Sequence, residues 1–331
     1  MNDKQVDNQL DRRRFLIRCG KAGLSLAAVG GVAYWFYDSE GPTGEEETGI
    51  LKGLPDYSVP EMGRRMAIAG GSDRAKTIRL AFEAMGGLEG YVKKGDTVLL
   101  KVNAAFASPP MLCATSHPEL VAEVVRLCLG AGASSVTVTD NPINDPSSCF
   151  ALSGIGEAAR GAGAKVALPR PQAFRRFTLE GGGLIRKWPL LYGPLQTVNK
   201  VIGIAPLKDH HRSGASMTLK NWYGLLGGRR NIFHQDIHNI IKELSMLVKP
   251  TFVILDGTKT MMRNGPTGGS LSDLKDTNRM IVSTDPVAAD AYGATLLGRS
   301  LDELVFIRKA DAAGAGTSDY ESLNPKIVSA G

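Results

Sequence analysis

Apolar residues fall into short runs separated by stretches of helical period, beginning near residue 65. Arg65-Met66-Ala67-Ile68-Ala69 reads as a strand ending in Gly70-Gly71. Ser72 or Asp73 can cap a helix through Met85, with Ile78, Leu80, Ala81, Phe82 and Met85 on its buried side. Val98-Leu99-Leu100 reads as a buried central strand, with Lys101 and Asn103 at its C-terminal end. Their alternate spacing points both side chains the same way. The Pro-rich loop Ala104 to Ser116 is long enough to act as a binding loop.

His117-Pro118-Glu119 then starts a helix that Gly130-Ala131-Gly132 stops, with Ser116 as its expected cap. Val136 to Asp140 is the next strand, closed by an aspartate. A helix from about Cys149 to Gly161 and a strand from Lys165 to Leu168 follow. Residues 170–192 look like short antiparallel strands or a lid. Lys200 to Pro206 returns to a buried strand, Ile240 to Leu247 continues a helix, and Phe252 to Gly257 is a strand carrying Asp256 near its end. Arg279 to Ser283 is a further strand, and Asp285-Pro286 opens a helix to Leu297 with Asp285 as N-cap. Strand and helix alternate throughout, which predicts an α/β fold with a mostly parallel sheet and flanking helices. We expect one α/β domain over 61–331, built as two Rossmann-like lobes (61–170 and 195–331) around a cleft.

Residues ahead of this domain follow another pattern. Asp11-Arg12-Arg13-Arg14-Phe15-Leu16 precedes a mildly apolar, Gly/Ala/Ser-rich stretch from Ala22 to Tyr37. A charged segment followed by an apolar one, with paired arginines before Phe-Leu, resembles a twin-arginine signal. Residues 1–37 are therefore expected to engage the twin-arginine translocase and deliver a folded chain to the periplasm. Gly31-Val32-Ala33 offers a cleavage site, while the aromatic run Tyr34 to Tyr37 suits a retained membrane anchor. Both outcomes stay open. Residues 38–60, acidic and rich in Gly and Pro, read as a linker.

The chain has 331 residues and a net charge of +6 without a basic block, which argues against a nucleic-acid partner. Cys113, Cys128 and Cys149 are unclustered, so neither a disulfide framework nor an iron–sulfur cysteine motif is encoded.

Candidate chemistry concentrates in Lys208 to His238, which holds four of the five histidines. His210-His211 follows a buried strand. His234 and His238 are spaced i, i+4, as two metal ligands on a helix would be; alternatively His234 bonds backbone and His238 faces solvent. Lys101 and Lys220 would neutralise an anionic ligand or donate a proton, unless each forms a structural ion pair with Asp140, Asp256 or Asp290. Arg229-Arg230 follows a Gly-Gly turn and suits either a carboxylate clamp or a solvated turn. Asp140 and Asp256, at strand ends, are candidate ligands. The Gly/Pro loop Arg263 to Gly269, including Gly265, brings backbone amides within reach of an anion but lacks a P-loop's lysine and spacing.

Several segments together carry a family resemblance: Leu100-Lys101-Val102-Asn103, Thr115 to Leu120, Lys208 with His210, Thr218-Leu219-Lys220-Asn221, Gly224 and His234. Asp256-Gly257, Gly265-Pro266 and Thr284 to Asp290 complete the set. The set resembles domain-of-unknown-function family 362 over residues 65–315. That resemblance implies an iron–sulfur association, since relatives append a ferredoxin-type cysteine domain. This chain has no such cysteines, so the role would fall to a separate redox partner protein. The resemblance supports His210 and His234 over His211 and His238. At the level of fold the two-lobed plan and the histidine–lysine set also resemble the nickel-pincer lactate racemases.

The expected function is an exported enzyme or redox-associated protein with a cleft for a small anionic ligand, with or without a metal ion. The alternative is a non-catalytic periplasmic protein that binds or matures a metal or cofactor. Lys101, His210 and Lys220 are the candidate catalytic residues. Asn103, His117, Asn221, Arg229 and Gly265 are candidate ligand contacts, and His210, His234 and Asp256 candidate metal ligands.

Overall fold

A computed structural model describes residues 49–329 together with Ile17, Gly20 and Lys21. The chain divides into a short N-terminal unit, Met1–Gly49, and a body, Ile50–Gly331. The expected signal segment falls almost wholly outside the described residues. Among those residues no helix is long and apolar enough to cross a membrane.

The body begins with β1 (Met66–Gly70), α1 (Arg74–Ala84), β2 (Thr97–Lys101), α2 (Pro118–Gly130) and β3 (Ser135–Thr139). Then come α3 (Pro146–Leu152), α4 (Ile155–Gly161), β4 (Lys165–Ala167), and the hairpin β5 (Phe174–Phe177) and β6 (Trp188–Leu191). The second half contains β7 (Lys200–His210), β8 (Gly214–Ser216), α5 (Thr218–Asn221), α6 (Ile237–Leu247) and β9 (Phe252–Met261). It closes with β10 (Leu274–Ser283), α7 (Pro286–Leu297), α8 (Val305–Ala312) and β11 (Lys326–Ser329).

Nine of the described strands form one sheet, in the order β11-β1-β10-β9-β7-β2-β3-β4, with β8 paired to β7. Strands β4, β3, β2, β7 and β9 are mutually parallel, and β10 runs antiparallel between β9 and β1. The two expected lobes are therefore halves of a single sheet. The run of parallel pairs passes through β7 and β2 without a gap, and both halves share one hydrogen-bond ladder.

Alternation along the strands sorts the core into two layers. Val98, Leu100, Ile202, Ile204 and Ile254 pack beneath α1, α2 and α4. Leu99, Val201, Ala205, Val253 and Leu255 face the layer of α6, α7 and α8. Lys101 has the parity of Leu99 and so emerges on the second side.

Several boundaries differ from the sequence reading. The helix expected over 149–161 is two helices, broken where Gly154 takes a left-handed φ of 70°. The linker ends earlier than residue 60. Leu51 exchanges backbone bonds with Arg176 and Thr178, and Tyr57 is buried with its amide on the Lys249 carbonyl at 3.0 Å.

The chain leaves β1 for β2, steps outward through β3 and β4, then returns to place β7 on the other side of β2. Between β2 and β7 the strand order reverses direction, and ligands of open α/β sheets bind at the carboxyl ends flanking such a point. Two elements on the α6–α8 side fill it. Trp222 is fully buried and lies over Gly203 of β7, where a Cβ would come within 3.0 Å of its ring. The short helix α5 is held by Asp290 of α7, whose carboxylate accepts from Thr218 N at 2.8 Å, Thr218 Oγ1 at 2.6 Å and Leu219 N at 3.1 Å. Burial pushes the Asp290 carboxyl up to about 7, and those three bonds oppose the shift. Replacing Asp290 by Ala strips α5 of its cap and leaves buried N–H groups without acceptors. We expect a loss of about 1–3 kcal/mol in chemical denaturation, with secondary structure retained.

Candidate functional site

A cavity of about 570 Å³ opens over the carboxyl ends of β2, β3 and β7. Its floor is set by an ion pair between Lys101, the last residue of β2, and Asp140, just past β3. Lys101 Nζ lies 2.8 Å from Asp140 Oδ1, and both side chains are almost fully buried. Nζ also donates to Val102 O at 2.6 Å and Asn221 Oδ1 at 3.0 Å, which uses all three of its protons. Asp140 in turn accepts from Ala104 N at 2.7 Å and Asn141 N at 2.9 Å. Burial lowers the Lys101 pKa and Asp140 pulls it back up.

Asn221 completes this floor. Ladder pairing of β2 and β7 ends at Lys101 and Gly203, so the carbonyls beyond lose their partners as the strands diverge. Asn221 Nδ2 donates to Lys101 O and Ile204 O, each at 3.1 Å. The residue lines the cavity, yet its amide is spent on backbone and on Lys101. Gly224 has no room to be anything else, because a Cβ there would sit 1.9 Å from Asp140 Oδ1.

Above the floor the charge balance changes. Among the described residues Asp140 is the only carboxylate on the cavity wall, which also carries Lys208, Lys220 and Arg230. Lys208 is buried, donates to Ala114 O and lies over the Phe106 ring at 5.1 Å. Lys220 lies over Tyr223 at 5.2 Å. Neither has a carboxylate among the ion pairs of the described residues. Burial, then Lys220, drive the Lys208 pKa down to about 7. Burial, then Arg230, drive Lys220 to about 8. Arg230 spends its guanidinium on four carbonyls: Tyr223 and Leu226, each at 3.0 Å, Asn141 at 2.6 Å and Pro142 at 3.1 Å. It contributes charge with few free donors.

His210 ends β7 at the same wall. Its Nδ1 accepts from Arg212 N at 3.2 Å and Ser213 N at 3.3 Å. Those bonds place the proton of the neutral ring on Nε2. Burial and the two lysines push the ring's pKa down to about 2, so it stays neutral across ordinary pH. The ring therefore offers an N–H donor rather than a lone pair. A metal at Nε2 would require the proton to move to Nδ1, which faces two N–H donors.

The three expected metal ligands do not converge in the structure. His234 stacks on His210 with ring centres 6.2 Å apart, while its Nδ1 lies 3.2 Å from Asn231 O. Asp256 is elsewhere, tied to Arg74 Nε at 2.7 Å and Thr258 N at 2.9 Å. Among the described residues no group of three or more His, Cys, Asp or Glu side chains is placed to hold a metal ion. His234 and His238 do not share a helix, because a 3-10 turn over Arg230–Asp236 ends before α6 begins.

Lys101, Asn103, His210, Lys220, Asn221, Arg229 and His234 thus meet around one cavity, with Arg229 at its exposed rim. His117 does not join them. It stands at the N-terminal boundary of α2 without a side-chain bond to the helix, near Arg74 and Asp256, where burial and then Arg74 push its pKa down to about 4. Gly265 lies behind the wall, its carbonyl 3.1 Å from His211 Nδ1. Lys208 belongs to the cavity but was not among the expected site residues. Its signal was present, since it follows the apolar run ending at Leu207 just as Lys101 follows Leu100.

The site and the sheet define a class: an α/β protein with a cation-rich cleft at the switch point of its sheet. The chain belongs to the Domain of unknown function (DUF362) family, whose model matches residues 98–295. A thylakoid-associated protein of Synechocystis sp. is 27% identical over 229 residues, 65% of this chain and 67% of that protein. Among solved structures, the lactate racemase apoprotein of Thermoanaerobacterium thermosaccharolyticum aligns over 75% of this chain and 61% of its own, at 13% identity and a TM-score of 0.38. A Thermotoga maritima structural-genomics protein aligns over 74% of this chain and 60% of its own, at 12% identity and a TM-score of 0.36. This chain thus spans about three fifths of each of those two structures.

Asp140→Asn leaves the Lys101 ammonium buried beside a neutral amide. We expect it to cost about 3–5 kcal/mol in denaturant unfolding, since the partner charge is stranded. The double variant Asp140→Asn, Lys101→Met should cost less than the sum of the two single changes. Strict additivity would show that the pair does not carry the floor.

Proposed function

We propose that the cleft binds a small anionic substrate and moves a proton on it. The observation that supports this most is the pair Lys208 and Lys220, both lining one cavity and neither ion-paired with a carboxylate among the described residues, where Asp140 is taken up by Lys101. Uncompensated buried charge is costly, and an anion between the two amines relieves that cost. Three functions divide among the wall residues. A protonated lysine holds the anionic group, and a neighbouring amine titrating near neutrality serves as general base or acid. His210 Nε2–H donates to an oxygen on which negative charge develops. Its neutral state suits that role, because the donor does not lose its proton to the reacting group.

Calorimetric titration with inorganic phosphate or succinate tests the binding step. We expect saturable binding that weakens as pH rises through about 8, where Lys220 loses its charge. Lys220→Met should weaken it by roughly ten- to a hundred-fold, the value of one charge-assisted contact. Absence of saturable binding at pH 6.5 and low salt would remove the reading.

The same lysines set a pH signature of stability. In the unfolded chain Lys208 takes an ordinary value of 10.5, against about 7 in the fold. Between those limits the unfolded state holds a proton that the folded state has lost, so stability rises with pH across that window. Lys208→Met should flatten that rise in melting-temperature profiles, relative to the unsubstituted chain.

We further propose that the chain is exported folded, through a translocase that reads Arg12-Arg13. The arginine pair ahead of a mildly apolar stretch supports this. Replacing both arginines by lysine should hold the protein in the cytoplasm on cell fractionation, and unchanged export would refute the address.

A further inference from the structure

The cavity is several times larger than a bare phosphate or acetate, and lies within the range of sites that enclose ligands of many heavy atoms. Its mouth also differs in character from its floor. Ile143 and Ile232 line it and are 64% and 42% exposed, which places two of the molecule's exposed large apolar side chains at one opening. Phe106 lies between mouth and floor, its ring 5.1 Å from Lys208 Nζ.

Arg212, Arg229 and Gln235 make the rest of the rim polar, so the two isoleucines form an apolar side of it, and hydrogen bonds fix that side in place. Ile143 N donates to Ala105 O at 3.0 Å, tying the loop after β3 to the loop that carries Phe106. Arg230 opens the turn that carries Ile232, and its guanidinium bonds Asn141 O and Pro142 O. The loops bearing Phe106 and Ile143 and the turn bearing Ile232 are thus fastened to one another around the opening. Two apolar side chains held at one side of the opening offer a ligand's hydrocarbon chain a surface to cover, beside the charged groups inside.

We propose, building on the anion reading above, that the ligand is an amphipathic carboxylate. Its headgroup lies between Lys208 and Lys220 with His210 Nε2–H as a neutral donor, and its apolar body runs outward past Phe106 to Ile143 and Ile232. Charge complementarity selects the head and the rim selects the tail. A short, fully polar anion occupies the space between the two lysines alone and leaves the isoleucines wet.

The test is a titration of the full chain with straight-chain monocarboxylates from butanoate to octanoate, beside inorganic phosphate. Each methylene that reaches the rim should tighten binding by about four-fold, the worth of one buried CH₂. Ile143→Ser combined with Ile232→Ser should flatten that dependence while phosphate binds as before. Both positions are solvent-exposed, so the fold does not depend on them. Lys220→Met should weaken every chain length by the same factor. Equal affinity across the series, or a slope that survives the double serine change, overturns the proposal and leaves the anion site standing. Failure of phosphate and all carboxylates to bind overturns the anion reading itself.

Discussion

The contact on which the rest of this molecule depends is the buried ion pair of Lys101 with Asp140. It joins the carboxyl ends of two adjacent strands, and through Asn221 it reaches a third, β7. A charge pair this deep is not a large net source of stability. Its value is geometric: it closes the sheet where β2 and β7 part and backbone carbonyls would otherwise be stranded. Gly224 shows how tight the arrangement is, since even one methyl group would collide with the carboxylate. Asp290, from the far side, holds Thr218 and Leu219 at the start of α5, the short helix that ends in Asn221.

Because Asp140 is consumed by Lys101, the cavity above is left positive. Lys208 lies over Phe106 and bonds the Ala114 carbonyl, Lys220 lies over Tyr223, and burial holds both amines well below the ordinary lysine range. Arg230 adds its charge while its donors lock the surrounding loops. The outcome is a positive cup whose walls are tied together by the protein's own hydrogen bonds. Preorganisation of this kind avoids the ordering cost that a flexible site would meet on binding.

Much of this was legible in the chain. Apolar runs followed by a polar residue at Lys101 and Asp140 marked strand ends correctly, and the strand–helix rhythm gave the parallel sheet. Asp285 was expected as an N-cap, and its carboxylate accepts from Val287 N and Ala288 N, each at 3.0 Å. What the pattern could not carry was partnership. Asp256 ends a strand just as Asp140 does, but only the folded sheet shows that Arg74 claims it. Histidine spacing suggested a metal pair, whereas the backbone bonds that fix the His210 tautomer come from the turn after β7, which periodicity does not reveal. That both halves share one sheet was not legible for a related reason, because strand order is decided by long-range pairing and not by local sequence.

The uncompensated charge of the cleft also acts before any contact is made. A positive concavity with low-dielectric walls focuses its field outward and draws anions in, so encounter is faster than for a neutral site of the same shape. Salt screens that field over a Debye length of about 8 Å at physiological ionic strength. Buried contacts are screened far less. For the anion proposed above, capture and retention would be set by different parts of one cup: the capture rate would follow ionic strength, and residence time the walls.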